Sequence, residues 1–465
     1  MRREVSRRAS LLAAAVCVLL AVGSAEGAGI RAACTDCLLA GAATVALRVP
    51  MGTPLGGYGA LRRRLLLPDV FGRHPHAFWF KPATTERDPL KARALVLEVP
   101  PRRLAWVTVD LVAVDRAFTR EVERRIARTG LGATTVIVSA SHTHSGPGAF
   151  VDSAVMGWLA MDRFDPAVRD ALADAVVEAV RRAASARAPA LAGGASVAAN
   201  GLTRSRLGQA LDPEVVVLKV VRPSGEPVAL LWNYAIHGTV LGPRNLRLSG
   251  DVMGVASAEI ERELGVPVLF VNGAVGDVSP AGHGERAVAD LGRALGAAVR
   301  AGWQRAHPAA GVAVEVASRS VALPSARLSL RNCASRWLPR FLQVPLGDLF
   351  SRDAELVAVA AGDTALVTIP GELQTALGLA IKRAARPLFA HVVVAGVSND
   401  YLGYFVTPED YGRPAYVTCA TVYGPQAGTC LAETAIDLLH QLHGSPRPVT
   451  RLPRAACDFS PGVER

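Results

Sequence analysis

Short apolar runs rich in Val, Ala and Leu alternate with amphipathic stretches of helical period along most of this 465-residue chain. This alternation is the strongest constraint on the fold, because strands separated by helices bury their sheets under those helices. We therefore predict an α/β fold, with a single large domain in which mixed β-sheets are covered by helices. The predicted strands are 93–99, 104–110, 134–140, 214–221, 227–234, 267–272, 312–322, 354–360, 364–369 and 390–396, and the predicted helices are 116–129, 165–188, 253–264, 285–304, 372–385 and 431–443.

The composition excludes several classes of protein. Hydrophobic residues make up 50% of the chain and charged residues 20%, which does not fit a disordered chain or a coiled coil. Arginine supplies most of the positive charge, because the only lysines are Lys81, Lys91, Lys219 and Lys382, and the formal net charge is +11. No basic run is interleaved with aromatic residues in the pattern of a nucleic-acid-binding groove, so we expect no nucleic-acid partner.

Residues 1–25 have the three parts of a secretory signal peptide: an arginine-rich start, an apolar stretch over 11–22, and small residues before Ala25. Ser6-Arg7-Arg8 also has some similarity to a twin-arginine signal, although Ser10 stands where that signal has Phe. We therefore expect a secreted or periplasmic protein. No other apolar run approaches membrane length, which predicts no integral membrane span after the signal is removed.

The cysteines favour disulfides. Six remain beyond the signal peptide, an even number in an oxidising compartment, and they are Cys34, Cys37, Cys333, Cys419, Cys430 and Cys457. We predict that Cys419 pairs with Cys430, which would close a short loop. Cys34-Thr-Asp-Cys37 has the spacing of a redox or zinc pair, but no second cysteine pair or neighbouring histidine completes a zinc site, so a structural role is favoured.

Two segments have the composition of connections. Residues 186–196 contain Pro, Gly and Ala after a predicted helix and are interpreted as a loop. Residues 324–345 mix four arginines with Trp, Leu and Phe. They could enter a lipid interface, but Pro339 interrupts any long amphipathic helix, so a basic surface loop is the favoured interpretation.

Two histidines follow the predicted strand 134–140, in the sequence Ser141-His142-Thr143-His144. Side chains alternate in an extended chain, so His142 and His144 are expected to point to the same side. A Gly-Pro-Gly turn over 146–148 ends the strand and leaves space for a pocket. This pattern favours a metal or catalytic site over a pair of ordinary core histidines.

Two further clusters follow predicted strands. His237 comes after 227–234 and can add a nitrogen donor to a metal site, although a lone histidine is more often structural. Gly276-Asp277-Val278-Ser279-Pro280 follows 267–272, and a serine beside glycines can approach a carbonyl group closely. The alternative is a turn in which Asp277 and Ser279 only bond the backbone.

These clusters, in this order, resemble the neutral ceramidases, which are secreted or membrane-associated zinc amidases that cleave the N-acyl bond of ceramide. The similarity extends over about residues 43 to 440. The matching motifs are His142-Thr-His-Ser-Gly-Pro-Gly148, Gly276-Asp-Val-Ser-Pro280, Pro370-Gly371-Glu372, and the tyrosine-rich stretch from Ser398 through Tyr401, Tyr404 and Tyr411 to Tyr416.

The resemblance implies a set of functional residues. It implies that His142, His237, Glu372 and Tyr404 bind Zn2+; Tyr404 is preferred to Tyr401 because the family uses the second tyrosine of its Tyr-x-x-Tyr pair. Ser279 would be the catalytic serine, favoured as a nucleophile over a residue that positions water. His144 and Tyr416 would also be catalytic, and Arg204 and Gly57 would bind substrate.

The implied activity is hydrolysis of ceramide or a related N-acyl lipid at a membrane or micelle surface, releasing a fatty acid and a sphingoid base. The implied catalytic domain spans 26–445 and is followed by a tail over 446–465, without the immunoglobulin-like domain that ceramidases carry. Departures such as Ala281 and the absence of tyrosines after Arg204 leave two alternatives open. One is an amidase or esterase with a different substrate, and the other is a catalytically silent binding module.

Overall fold

The predicted alternation of strands and helices organises the computed structural model, which describes residues 37–445 and Cys457. The strands, numbered in chain order, are β1 Leu39–Ala46, β2 Thr85–Glu86, β3 Lys91–Val99, β4 Arg102–Val109, β5 Thr135–Ala140, β6 Ala188–Pro189, β7 Leu191–Ala198, β8 Thr203–Ser205, β9 Glu214–Val221, β10 Pro227–Tyr234, β11 Arg247–Leu248, β12 Val268–Asn272, β13 Val278–Pro280, β14 Val314–Ala322, β15 Arg327–Ser329, β16 Gln343–Pro345, β17 Asp353–Ala361, β18 Thr364–Thr368, β19 Glu372–Leu373, β20 His391–Ala395 and β21 Tyr404–Phe405.

In the described residues the helices are fewer than the strands, and they cover the sheets. They are α1 Arg116–Ala127, α2 Ala154–Met156, α3 Pro166–Ser185, α4 Asp251–Leu264, α5 Glu285–Arg305, α6 Leu330–Cys333, α7 Thr375–Ala385, α8 Pro408–Tyr411, α9 Tyr416–Cys419 and α10 Ala427–His443. Short 3₁₀ turns occur at Leu61–Arg63 and Gly347–Leu349, and a π-helical turn at Gly157–Met161. None of the helices in the described ranges is long and apolar enough to cross a membrane.

Three larger sheets form the framework, and each is mixed. The first has the order β5-β4-β3-β1-β6, with β4 and β5 parallel. The second has the order β12-β10-β9-β7, with β10 and β12 parallel. The third has the order β14-β17-β18-β20, with β18 and β20 parallel. This architecture confirms the predicted α/β class with mixed sheets.

Each sheet is covered by its own helices. In the first sheet α3 packs on β1 and β3, and α1 packs on α3. In the second, α5 packs on β7 and β9 while α4 packs on β12, and in the third α10 packs on β14 and β17. Such packing is expected, because an amphipathic helix must bury its apolar side against another element.

The opposite faces of the three sheets share one central apolar core. Trp106 of β4, Leu231 of β10 and Val393 of β20 belong to the same buried cluster. The three sheets are therefore held against one another by apolar burial, and loops at their strand ends are brought to a common place. Those loops contain the motifs identified in the sequence.

Residues 186–196 were predicted to be a loop, and this prediction is wrong, since they form β6 and most of β7. Strand β7 contains small residues because other segments of the same chain approach it closely. A Cβ atom at Gly193 would lie 2.5 Å from the His307 carbonyl oxygen, and one at Gly194 would lie 2.2 Å from Thr364 Oγ1. Close packing has thus replaced the β-branched residues that normally reveal a strand in a sequence.

The predicted Cys419–Cys430 disulfide is also wrong. Cys419 pairs with Cys333, and Cys430 pairs with Cys457. Cys430 is buried within helix α10, whereas Cys419 ends α9, which packs on α6. Asn332 Nδ2 also donates to the Thr418 carbonyl oxygen across that contact. Tertiary packing therefore overrides proximity in sequence. Cys37 is in a disulfide as well.

Some predictions concern residues outside the described ranges. The signal peptide over 1–25, Cys34, and the tail over 446–465 apart from Cys457 are among them. The domain limits of 26–445 therefore stay a prediction. The segment 324–345 forms a short hairpin of β15 and β16 around α6, with Trp337 and Phe341 exposed at its surface.

Candidate metal centre and active site

His142 and His144 lie in the loop that follows β5. Their convergence is confirmed, since the two imidazole centroids are 5.1 Å apart. The predicted reason is wrong, because β5 ends at Ala140 and the backbone φ of His142 is +69°. A left-handed turn, which few residues other than glycine adopt, directs the imidazole into the site. Thr143 points elsewhere and donates to the Ser249 carbonyl oxygen.

His237 joins this pair from the loop after β10. Donor nitrogens of His142, His144 and His237 all lie within 4.8 Å of one another. The two loops are fixed to each other by hydrogen bonds, in which the His144 N–H donates to the Gly238 carbonyl and the Gly238 N–H to that of His142. Residue 238 must be glycine, because a Cβ atom there would lie 2.5 Å from the His142 carbonyl oxygen.

Glu372 supplies a carboxylate between two of the histidines. Its Oε1 is 3.3 Å from His142 Nε2, and its Oε2 is 3.0 Å from His237 Nε2. The residue lies in the short strand β19, which pairs with β21 so that Glu372 and Tyr404 are opposite each other. The sequence placed Glu372 at the start of a helix, but the helix begins three residues later, at Thr375.

The electrostatics of this cluster suit a cation. Burial lowers the pKa of His237 to about 3 and holds the pKa of His144 well below its usual value, so both rings are neutral near pH 7. Burial tends to raise the pKa of Glu372, but the neighbouring His142 and His237 outweigh it and bring that pKa well below its usual value. The acid is therefore ionised beside the neutral rings of His144 and His237.

Several of these buried atoms make no well-aligned hydrogen bond with another described residue, although Glu372 and the histidines are close. They are both ring nitrogens of His144, Nε2 of His142, Nδ1 of His237 and Oε2 of Glu372. Leaving buried polar atoms without partners is costly, and a bound cation removes that cost for atoms that face it. Neutral imidazole and carboxylate are also the donors that zinc binds in proteins. The residues present thus fit a metal ion.

Two tyrosines reach the cluster from the segment after β20. Tyr401 donates from its hydroxyl to Glu372 Oε1 at 2.7 Å, and the Tyr404 hydroxyl is 3.5 Å from His237 Nε2. Burial and the Glu372 charge raise the pKa of both phenols well above the usual value. The geometry brings both phenols to the cluster, and the assignment of Tyr404 as a ligand stays a prediction.

Ser279 lies in β13, beside the cluster. The Arg206 guanidinium connects Ser279 to the cluster. Its Nε donates to Ser279 Oγ at 2.9 Å, and its Nη1 donates to the Tyr404 hydroxyl at 3.4 Å. Asp277 has the bonding role that a structural turn would give it, because its Oδ1 accepts from the backbone N–H and hydroxyl of Thr375. Ser279 differs, because its hydroxyl contacts an arginine at the cluster.

Arg206 is a functional candidate that the sequence motifs do not reveal. Arg204 is the backbone partner of Ser279 across β8 and β13, and its side chain is exposed. Arg206 is two residues further on and is half-buried. A strand period of two places alternate residues on one side, and this signal could have identified Arg206 as a second candidate. The role of Arg204 stays a prediction.

Gly57 and Tyr416 lie at the edge of the cluster. A Cβ atom at Gly57, where φ is +98°, would lie 2.6 Å from His144 Nδ1, so glycine is required for the approach of these two segments. The next residue, Tyr58, has its ring centroid 4.8 Å from that of His144. Tyr416 is 71% exposed, and its ring centroid is 5.7 Å from that of Tyr404. The site therefore has an open side.

This chain is similar to known proteins in sequence and in fold. The sequence profile of the family described as "Neutral/alkaline non-lysosomal ceramidase, N-terminal" matches residues 86–292, the part that contains His142, His144, His237 and Ser279. A neutral ceramidase of Pseudomonas aeruginosa is 24% identical over 446 residues, covering 75% of this chain and 66% of that protein. One from Mycobacterium tuberculosis is 24% identical over 462 residues, covering 77% of this chain and 72% of that protein.

Solved structures agree in fold. The crystal structure of the neutral ceramidase from Pseudomonas aeruginosa superposes with a TM-score of 0.74 at 20% identity, covering 88% of this chain and 75% of that one. A structure described as ceramidase complexed with C2 gives a TM-score of 0.75, also at 20% identity, and covers 89% of this chain and 76% of that one. The family profile over residues 86–292 and the fold thus agree in making this chain similar to the neutral/alkaline non-lysosomal ceramidases.

Proposed function

We propose that this protein is a zinc-dependent amidohydrolase that cleaves the N-acyl amide bond of ceramide or a related N-acyl lipid, releasing a fatty acid and a sphingoid base. One observation carries the proposal. The Glu372 carboxylate lies between His142 and His237 in a buried cluster, next to a serine whose hydroxyl is held by an arginine. Similarity to the neutral ceramidases supports the reaction class.

His142, His237, Glu372 and Tyr404 would hold Zn2+ in this proposal. When bound, zinc polarises an amide carbonyl and lowers the pKa of a coordinated water molecule. The Tyr401 hydroxyl donates to Glu372 Oε1, and the Val112 carbonyl oxygen lies 2.6 Å from His142 Nδ1. These contacts orient two of the four ligands, as outer contacts commonly do around metals.

The remaining residues have roles in cleaving the amide. Ser279 Oγ attacks the carbonyl carbon, and Arg206 keeps that hydroxyl in position through its 2.9 Å hydrogen bond. Burial keeps His144 neutral, so it can accept the serine proton and return it to the departing amine. Tyr416, exposed at the open side, donates a hydrogen bond to the developing oxyanion, and Arg204 and Gly57 line the path of the substrate.

An exposed apolar surface supports a lipid substrate taken from a membrane or micelle. We call it the apolar rim, and its exposed members are Leu61, Leu66, Leu67, Val70, Phe71, Trp158 and Leu159. Arg64 joins its two segments by donating to the carbonyl oxygens of Trp158 and Leu159. The rim reaches the active site at Gly57, whose N–H donates to the Ala160 carbonyl oxygen. Exposed apolar patches bordered by arginine are typical of lipid-binding surfaces.

Secretion or periplasmic export belongs to the same proposal. The Cys333–Cys419 and Cys430–Cys457 disulfides form and persist in oxidising compartments, which agrees with the predicted signal peptide. A lipid substrate in an outer membrane leaflet or in a micelle is accessible from there.

The decisive test is hydrolysis of N-acyl-sphingosine in detergent micelles by the purified protein, measured as fatty acid released. We expect release that stops after chelation and dialysis and returns when Zn2+ is added back. Elemental analysis of the same samples measures the bound metal. Zinc-loaded protein that releases no fatty acid from ceramide but cleaves other amides or esters would support the alternative substrate class. A lack of any turnover with bound zinc would support a silent binding module.

A further inference from the structure

An open cavity of about 1130 Å³ adjoins the active site. Its walls come from the loop after β1, the segment between β10 and β11, and the start of α5. Two residues connect it to the catalytic groups. Arg206 lines the cavity and contacts Ser279, and Tyr58 lines it and packs on His144. A substrate whose amide bond lies at Ser279 can therefore extend into this space.

The charge of the cavity is strongly positive. Its lining includes four arginines, Arg62, Arg206, Arg244 and Arg247, and a single acid, Glu285. That acid is already engaged, because its carboxylate pairs with Arg87 at 2.8 Å and with Arg247. Arg62 and Arg244 are exposed and have no carboxylate partner among the described residues. Their guanidinium groups are thus available to a ligand in the cavity.

Ceramide offers little to such a cavity, since its head group is uncharged. Guanidinium groups bind carboxylates and phosphates through paired hydrogen bonds, and this is stronger than bonding to neutral hydroxyls. Apolar side chains are also present, since Leu241, Pro243 and Leu246 line the same space. The combination of apolar wall and unpaired arginines matches an amphiphile with a negatively charged group.

We infer that this cavity, here called the arginine cavity, binds a carboxylate or phosphate of the substrate, so that the preferred substrate is an anionic N-acyl amide. The inference rests on the proposed function for the position of the scissile amide. It goes beyond that function because it names Arg62 and Arg244 as the residues that select the substrate. The negative charge attracts the substrate to the cavity, and Ser279 lies beside Arg206 at the cavity wall.

The test compares pairs of substrates in which one member carries an anionic group and the other a neutral group at the same position. N-dodecanoylglycine is compared with N-dodecanoylglycinamide, and N-dodecanoyl-phosphoethanolamine with N-dodecanoylethanolamine, and kcat/KM is measured for each. We expect the anionic member of at least one pair to be preferred about tenfold, and about 0.5 M NaCl to reduce that preference by screening the charges. The pair with the larger preference distinguishes a carboxylate from a phosphate.

Variants locate the effect. The double variant Arg62→Gln with Arg244→Gln is expected to reduce the preference to about twofold or less, with each single variant between the two values. Arg128→Gln is the matched control, because Arg128 is exposed and does not line the cavity, and it should leave the preference unchanged. Thermal unfolding of each variant checks that it is folded. Equal kcat/KM for charged and neutral members, or a preference unaffected by the double variant, overturns the inference.

Failure of the proposed function gives a different result. If the wild-type protein cleaves none of these amides and no ceramide, binding of N-dodecanoylglycine and its amide to the metal-free protein is measured by calorimetry. Tighter binding of the anion that is lost in the double variant would support the arginine cavity as an anion site even though the proposed activity fails. Equal binding of the two ligands would overturn the inference about the cavity. Cleavage of ceramide with no preference for anionic substrates would support the proposed activity and overturn the inference about the arginine cavity.

Discussion

The histidine–glutamate cluster and the arginine cavity meet at Arg206 and Tyr58, yet they are built in opposite ways. In the cluster, His142, His237 and Glu372 are almost fully buried. Backbone hydrogen bonds and glycines that allow no side chain fix their loops. In the cavity, by contrast, Arg62 and Arg244 are exposed and have no carboxylate partner among the described residues. In the function proposed here, the chemistry depends on preorganised backbone, whereas substrate selection depends on side chains that can change without disturbing the fold.

The largest effect is expected in the cluster. Glu372→Gln removes the charge between two imidazoles and should reduce kcat/KM about 10⁴-fold, because the stabilisation supplied by a metal is worth several kcal/mol. Elemental analysis should show less bound zinc. Glu409→Gln, at an exposed acid, is the matched control and should retain both metal and activity. Full metal content and activity in Glu372→Gln would contradict the contrast between the buried cluster and the arginine cavity, because the Glu372 carboxylate would then be dispensable.

Ser279→Ala tests the catalytic step without removing a metal donor. We expect kcat to fall about 1000-fold, as loss of a nucleophile commonly does, with the zinc content unchanged. Mass spectrometry of quenched wild-type reactions should detect a covalent acyl-enzyme that Ser279→Ala lacks. Ser224→Ala, at an exposed turn, provides the control. A loss of less than about tenfold, with no acyl-enzyme, would instead assign Ser279 to positioning water.

The two arginines of the β8 segment distinguish the centre from its surroundings. Arg206→Gln removes the contacts with Ser279 and Tyr404 and should reduce kcat about 10- to 100-fold, in the range typical of residues that orient catalytic groups. Arg204→Gln changes an exposed side chain and should cost less. Arg206→Lys is expected to restore only part of the activity, because a lysine has no paired donors. A larger loss in Arg204→Gln would reverse the assignment.

The apolar rim should give the smallest effect on catalysis. Phe71→Asp is expected to weaken binding to lipid vesicles about tenfold, because burying one large apolar side chain contributes on the order of 1.5–3 kcal/mol. Activity on a monomeric short-chain amide should be unchanged. Trp337→Asp places the same change in the hairpin of β15 and β16. Vesicle flotation of the two variants shows which exposed segment contacts lipid, and weaker binding in Trp337→Asp alone would exclude the apolar rim.

Much of the framework could be predicted from the sequence, because β-branched runs and amphipathic periods are local signals. Strands such as β9 and β10 and helices such as α1 and α5 follow their predicted ranges closely. β7 was missed because its glycines serve close packing with residues far away in the sequence. The Cys333–Cys419 disulfide was missed for a similar reason, since it depends on the contact between α6 and α9.

The active site shows the same limit. His142, His144, His237, Glu372 and Tyr404 could be identified from motifs, and the structure brings them together. Sequence patterns could not show that His142 leaves the strand in a left-handed turn, because φ depends on the hydrogen bonds of the whole loop. The motif at Arg204 also did not reveal that the neighbouring Arg206 is the arginine whose guanidinium contacts Ser279. Motifs identify which residues take part in chemistry, whereas the contacts of neighbouring residues depend on tertiary pairing.

The positive φ at His142 affects how mutational tolerance at this position should be interpreted. In a library of substitutions screened for folded protein alone, glycine and asparagine should be enriched at position 142, because they adopt this backbone region at the lowest cost. Valine and isoleucine should be depleted, since a branched Cβ is strained there. A screen for activity would retain only histidine. The difference between the two screens would separate what the loop requires from what the metal requires.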